Sequence, residues 1–188
     1  MHEKKDLRII KTQKVLYNAL ANLLKAKAFE EIKVSDICSE ALINRSTFYD
    51  HYNDKYELLV DFINSEKQLL EEHLNQNEQN LNTKAYYLEM IKLLLDHIEN
   101  QKDLYYSILI NNRNSIVMDI FMDVITKDVE KRVKNELPNK IPSEIITKFY
   151  IGAVVNIGME WLKNNSKYTK EEMFSFINTL IPDNIESL

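Results

Sequence analysis

"INRSTFYDHYNDKYELL", Ile43 to Leu59, decides the reading of this chain. It gathers an Arg, two hydroxyls, two Tyr and a His within ten residues, between two segments that are periodic in apolar residues. Upstream, "LRIIKTQKVLYNALANLLKAKAF" places Leu16, Leu20, Leu23 and Leu24 at helical spacing, with Val15 and Ala19 on the same side. A short joint, "EEIK", precedes "VSDICSEAL", where Val34, Ile37 and Ala41 predict a second, shorter helix. "LIN" breaks that pattern, and "RSTFYDHY" reads as a third helix with Asn44 as its N-cap. Asn53-Asp54 interrupts it. Asp54 is placed to cap a fourth helix with the stripe Leu58, Leu59, Phe62, Ile63, Leu69, Leu70 and Leu74.

The rest of the chain continues in the same manner. Helices are expected near 83–99, 102–111, 114–136, 143–164 and 170–181, with Ser143 a candidate cap. In 188 residues there are only two Gly and three Pro, which argues against hairpins and for an all-α fold. The single cysteine, Cys38, excludes an internal disulfide and reads as a small core residue. "MHEKKDLR" has no apolar signal region, and the nearly uncharged run Phe149 to Met159 is too short to span a bilayer. The expectation is a cytoplasmic protein with no membrane partner.

A long–short–short order with a three-residue turn describes a helix-turn-helix. Its recognition helix offers its first residues to base edges in the major groove. Arg45, Ser46 and Thr47 stand there, with groups suited to guanine, to several partners and to a thymine methyl. Phe48 and Tyr52, four apart, face the core with Ile37, Ala41 and Ile43. Tyr49 and His51 lie on another side, within reach of phosphate oxygens. Lys55 opens the fourth helix, where its charge and the free N–H groups of the first turn are expected to hold one more phosphate. Net charge is −5, but it is unevenly spread. Residues 1–60 carry ten Lys and Arg against nine Asp and Glu, and the remainder carries 14 against 20. Lys4, Lys5, Arg8, Lys11 and Lys14 cluster at the start, which suits a first domain meeting a polyanion, or a merely solvated helix end.

From about Arg8 to Leu59 the chain resembles the TetR family of bacterial transcription regulators, most specifically in "STFYDHYNDKYEL". The resemblance implies an N-terminal DNA-binding domain, residues 1–55, and a larger helical domain, 56–188, for dimerisation and effector binding. By position it assigns Arg45, Ser46, Thr47, Tyr49, His51 and Lys55 to double-stranded DNA, and Asn44 at the start of the same helix is a further candidate contact. Two positions depart from the family pattern. Leu42 stands where the turn usually has Gly, so the backbone must manage without easy positive φ. Lys33 stands where a phosphate-contacting Thr precedes the second helix. Lysine can still bind phosphate, though it caps less well.

Catalysis has thin support. Glu72-His73 and Asp96-His97 are adjacent residues on helices and do not face one another. No Glu-x-x-His pair or Gly-rich phosphate loop occurs, so no enzyme, metal or cofactor is expected. "FYIGAVVNIGMEWL" is apolar nearly all round, which predicts burial on more than one side. A second subunit or the centre of a monomeric bundle would both satisfy it. The resemblance favours a homodimer through the last two helices, with Val155, Met159, Phe176 and Leu180 as candidate contacts. Tyr86, Met90, Tyr105, Met118, Phe121 and Met122 are candidates for an effector pocket, or are ordinary core. The function expected is a dimeric repressor on a palindromic operator, released by a small molecule. The alternatives are a regulator or activator controlled by a protein partner, and a helical interaction module that does not bind DNA.

Overall fold

The computed structural model describes residues 7–77, 83–111, 116–136, 141–163 and 167–181, with a few side chains inside these helices left undescribed. All regular structure among them is helical. The elements are α1 (Leu7–Ala26), α2 (Val34–Glu40), α3 (Arg45–Tyr49), α4 (Lys55–Asn77), α5 (Thr83–Asn100), α6 (Lys102–Tyr106), α7 (Ile116–Glu136), α8 (Ser143–Lys163) and α9 (Lys170–Leu180). A 3-10 turn, Phe29–Glu31, joins α1 to α2, and a π turn, Ser107–Asn111, continues α6.

The first core forms where the stripes of α1, α2, α3 and α4 meet. Leu16, Leu20, Leu24, Phe29, Ile37, Phe48, Leu58 and Leu59 are all fully buried there. Each such side chain contributes about 1.5–3 kcal/mol by leaving water. Tyr52 is also buried, as is Cys38, whose thiol burial pushes up and so keeps protonated and inert.

Local chemistry sets most helix ends. Asp54 Oδ1 accepts the N–H groups of Tyr56 and Glu57 at 2.8 and 2.9 Å, so α4 is capped as expected. Thr169 and Glu172 exchange bonds in a full capping box at the start of α9. Other ends differ from expectation. Asn44 occupies the N-cap position of α3 but makes no capping bond, which leaves its exposed amide to face outward. Ser143 already lies in the first turn of α8, where Pro142 O accepts from the N–H groups of Ile145 and Ile146. The third helix stops at Tyr49 and closes in a turn instead of running to Tyr52.

α2 ends in a Schellman motif. The N–H of Ile43 reaches Cys38 O at 3.0 Å and that of Leu42 reaches Ser39 O at 3.3 Å. Leu42 takes the left-handed conformation, with φ of 56°, and its side chain is 91% exposed. The chain thus adopts the glycine backbone without the glycine.

The second body is α5 to α9 packed against the far part of α4. The predicted stripe of α4 fails at Leu69, which is 47% exposed, while Leu70 and Leu74 lie outside the described side chains. Lys170 pairs with Asp96 at 2.7 Å and Glu99 at 2.9 Å, fixing α9 on α5. α8 is 21 residues long and holds an 18-residue window with a mean hydropathy of 1.2, enough by length and composition to cross a membrane, where the uncharged run read from sequence is shorter. Its buried face, Ile146, Thr147, Val155, Met159 and Leu162, packs inside the protein, which is how a core helix behaves.

Candidate nucleic-acid interface and ligand cavity

At the recognition helix, Phe48 and Tyr52 anchor the inner side and thereby turn its first residues outward. Asn44, Arg45 and Ser46 are exposed and Thr47 is half-buried, all on the opening turn of α3. Tyr49 is 57% exposed, with its ring edge-to-face on Phe48 at a centroid separation of 5.4 Å. His51 is half-buried beside Tyr52, and Lys33 is exposed at the start of α2. Lys33 cannot accept a bond as Thr would, and Asp36 takes over part of the cap by accepting the Lys33 N–H at 3.1 Å. Lys27 in turn pairs with Asp36 at 2.6 Å and holds that carboxyl below its usual range. Lys11 and Lys14 are exposed on α1, whereas Lys4 and Lys5 lie outside the described residues.

Lys55 departs from its expected role. Its ammonium donates to the carbonyls of Phe29, Glu30 and Ile32 at 2.8, 3.1 and 2.8 Å and lies over the Phe29 ring. Those three bonds match the three donors of an ammonium. Burial lowers its pKa from the usual value. The N–H groups of the α4 first turn are likewise taken, by Asp54. In this geometry the ammonium is turned inward to the carbonyls rather than outward, and Lys55 links the α1–α2 joint to α4.

A second lock was not foreseen from sequence. Asp61 Oδ2 on α4 accepts the hydroxyls of Tyr17 and Tyr52, each at 2.6 Å, and the amide of Gln13 at 3.3 Å. Burial, reinforced by the bond to Asp61, pushes the Tyr52 phenol up to about 12 and the Tyr17 phenol higher still. Both remain donors at neutral pH. One carboxylate thus ties α1, the end of the recognition unit and α4 together.

Next to Asp61, Phe62 and Ile63 line a partly open cavity of about 220 Å³ bordered by α4, α5, α6, α7, α8 and Ile181 after α9. Of the six candidates for an effector pocket, Met90, Tyr105 and Phe121 line it. Met118 and Met122 pack beside the core instead, and the Tyr86 side chain lies outside the described set. Reading aromatic and Met residues alone missed the contributions of α4 and α8, among them Glu66, Thr147 and Tyr150. The all-round apolarity of α8 was the available signal. Glu66 accepts from His97 at 2.8 Å, and burial raises the Tyr105 phenol beside them. The cavity floor is also bonded to the DNA-binding unit: Ser107, next to Tyr105 and Ile108, donates its hydroxyl to Leu24 O at the end of α1.

The subunit candidates divide. Phe176 and Leu180 are 45% and 70% exposed on α9. Val155 and Met159 are buried inside the chain, and Val155 lines the cavity, so they are not available to a partner. The outward side of α8 carries Ile145, Phe149, Ala153 and Asn156 instead. At Gly152 an added Cβ would meet nothing within 4 Å, so the space beside it is open.

A three-helix unit with an outward recognition helix, joined by one long helix to a cavity-bearing helical body, defines a helix-turn-helix transcription regulator. Comparison with known proteins narrows the class. Residues 16–62 match the family described as bacterial regulatory proteins, tetR family, and residues 86–183 match a transcriptional regulator C-terminal region. The chain belongs to the TetR family of transcription regulators. It is 30% identical over 105 residues to the HTH-type dhaKLM operon transcriptional activator DhaS of Lactococcus lactis, a match covering 55% of this chain and 51% of that one. The chain thus spans about half the length of that relative. A TetR transcriptional regulator from Streptococcus agalactiae has a similar structure, with a TM-score of 0.64, 26% identity and coverage of 94% and 96% of the two chains. The regulator FadR from Bacillus subtilis, in complex with stearoyl-CoA, shares the fold with a TM-score of 0.66, 13% identity and coverage of 92% and 98%.

Proposed function

We propose that this TetR-family regulator is a homodimeric repressor, bound to a palindromic operator and released when a small molecule fills the cavity. Residues 1–55 form the DNA-binding unit and 56–188 the dimerisation and effector-binding unit. The observation that carries the reading is the outward presentation of Arg45, Ser46 and Thr47 by a helix whose other side is anchored by fully buried Phe48. Arg45 and Thr47 read bases, while Lys33, Asn44, Tyr49 and His51 position the helix on the backbone. Lys55 supports the scaffold from within. The exposed sides of α8 and α9 meet a second copy through Phe149, Ala153, Phe176 and Leu180. The solved relative with a bound acyl-CoA supports the use of the cavity by an effector.

Selection of bound DNA from a random pool, followed by Arg45→Ala, tests the DNA reading. Binding to the selected site should weaken by about 1–3 kcal/mol more than binding to random DNA. Equal losses on both would remove Arg45 from base readout. Ala153→Arg should yield a monomer by sedimentation with an unchanged helical signal, and a wild-type monomer at micromolar concentration would overturn the dimer.

A second reading has its own support, the identity to the activator DhaS. In it the chain activates transcription under the control of a protein partner. Reciprocity separates the two. If a ligand releases operator DNA, operator DNA must weaken that ligand's binding by the same factor.

A further inference from the structure

Thr147 on the cavity wall carries a hydroxyl with no hydrogen-bond partner among the described residues, and this inference rests on the reading above that an effector occupies the chamber. Thr147 is 2% exposed on α8, and its hydroxyl has no hydrogen-bond partner among the described residues. Its behaviour differs from that of other helical threonines. Thr12, Thr126 and Thr179 each donate to the carbonyl four residues back, at 2.9, 2.7 and 2.8 Å. Thr147 does not, and it borders the chamber among Ile146, Tyr150 and Ile151. A buried hydroxyl without a partner is unfavourable, and an incoming oxygen would relieve that.

The charges around the chamber restrict what that oxygen belongs to. Glu66 and Lys67 are the charged residues of the lining. Glu66 is paired with His97, and Lys67 is itself engaged. An anion would give up its hydration among apolar walls with no unmatched cation to receive it. Size restricts the body of the ligand. An apolar cavity of about 150 Å³ takes up benzene, so the 220 Å³ here suits roughly six to twelve non-hydrogen atoms.

We propose that the effector is a small uncharged molecule with an apolar body and one hydrogen-bonding oxygen, an alcohol, phenol or carbonyl, seated on the Thr147 hydroxyl. Thr147 is then the residue that distinguishes a hydroxylated ligand from its hydrocarbon.

Calorimetric titration of the full chain with 4-ethylphenol, ethylbenzene, 4-ethylbenzoate and octanoyl-CoA tests this. 4-Ethylphenol should bind at least tenfold more tightly than 4-ethylbenzoate. Thr147→Val should weaken 4-ethylphenol five- to tenfold and leave ethylbenzene unchanged or tighter, while Thr147→Ser should keep the preference for the phenol. Thermal melts of both variants check that they fold. Tighter binding of 4-ethylbenzoate or octanoyl-CoA would overturn the ligand class and leave occupancy of the chamber standing. Equal weakening of phenol and ethylbenzene in Thr147→Val would remove Thr147 from recognition. Binding by none of the four would overturn the ligand class and the effector reading together.

Discussion

The first turns of α4 and its middle lie in opposite surroundings. Leu58 and Leu59 are fully buried, and three further locks act on the same turns: Lys55 on the carbonyls of Phe29, Glu30 and Ile32, Asp61 on two tyrosines, and Asp54 on the N–H groups of Tyr56 and Glu57. One to two turns on, at Phe62 to Glu66, the same helix borders a chamber of about 220 Å³. The first turns are held by several independent contacts, whereas the middle of the helix borders unfilled volume and is less tightly determined by packing. Under the proposed function, an effector acts at the middle of α4 and the first turns support the readout surface. α4, the Ser107–Leu24 bond and the packing of α1 on α6 connect them physically.

Cavity-forming substitutions give the largest contrast. Phe48→Ala should destabilise by about 3–5 kcal/mol, because a fully packed ring leaves a void that its neighbours cannot fill. Phe121 already faces the chamber and lacks contacts on that side. Phe121→Ala should therefore cost at least about 1 kcal/mol less in urea unfolding. Equal costs would mean that the chamber closes in solution, and the contrast between the two regions would fail.

Two lysines of similar sequence context should also behave differently. Lys55→Ala leaves three carbonyls without their donor and should destabilise by about 2–3 kcal/mol. Lys33→Ala, on an exposed side chain, should stay within about 0.5 kcal/mol of the wild type in stability. It should instead reduce the slope of operator affinity against salt by about one. A Lys55→Ala variant of full stability with a flattened salt slope would restore the phosphate role that its sequence position suggests.

Lys55 also marks where sequence reading stops. Periodicity located every helix to within a few residues, because a buried stripe must repeat at the helical period whatever it packs against. It also identified Phe48 and Tyr52 as inward. It could not say what fills the three donors of an ammonium, since Phe29, Glu30 and Ile32 are more than twenty residues away. Asp61 was missed for the same reason: Gln13 and Tyr17 lie on another helix. Val155 and Met159 were assigned to a partner because α8 is apolar on both sides, and composition alone does not tell the inner side from the outer. The pocket residues were legible only in part, since an apolar wall and an apolar core have one composition.

At the chamber, the effect of removing a polar group should be a gain. Thr147→Val replaces a buried, unbonded hydroxyl with a methyl of similar size, so the ligand-free protein should be stabilised by about 1 kcal/mol. A differential-scanning melt checks it. A loss of stability would mean that water satisfies the hydroxyl in solution, and the chamber would then be wet at that point.

The smallest change sharpens the other region. Leu42 holds φ of 56° to close the Schellman motif, and its side chain is 91% exposed, so almost no packing depends on it. For a residue with a Cβ this conformation costs roughly 1–2 kcal/mol, while glycine adopts it freely. Glycine also loses more backbone freedom on folding, which offsets part of the gain. Leu42→Gly should therefore stabilise the protein by about 0.5–1 kcal/mol, measured as a rise in the urea midpoint with an unchanged slope. The bonds Ile43 N–H to Cys38 O and Leu42 N–H to Ser39 O need no side chain at position 42, so α3 should keep its orientation. Operator affinity should then stay within about twofold of wild type, since a turn already in its required geometry has nothing to rearrange. A stabilised variant with markedly weaker operator binding would assign the Leu42 side chain itself to DNA, and the strain at this turn would then serve recognition.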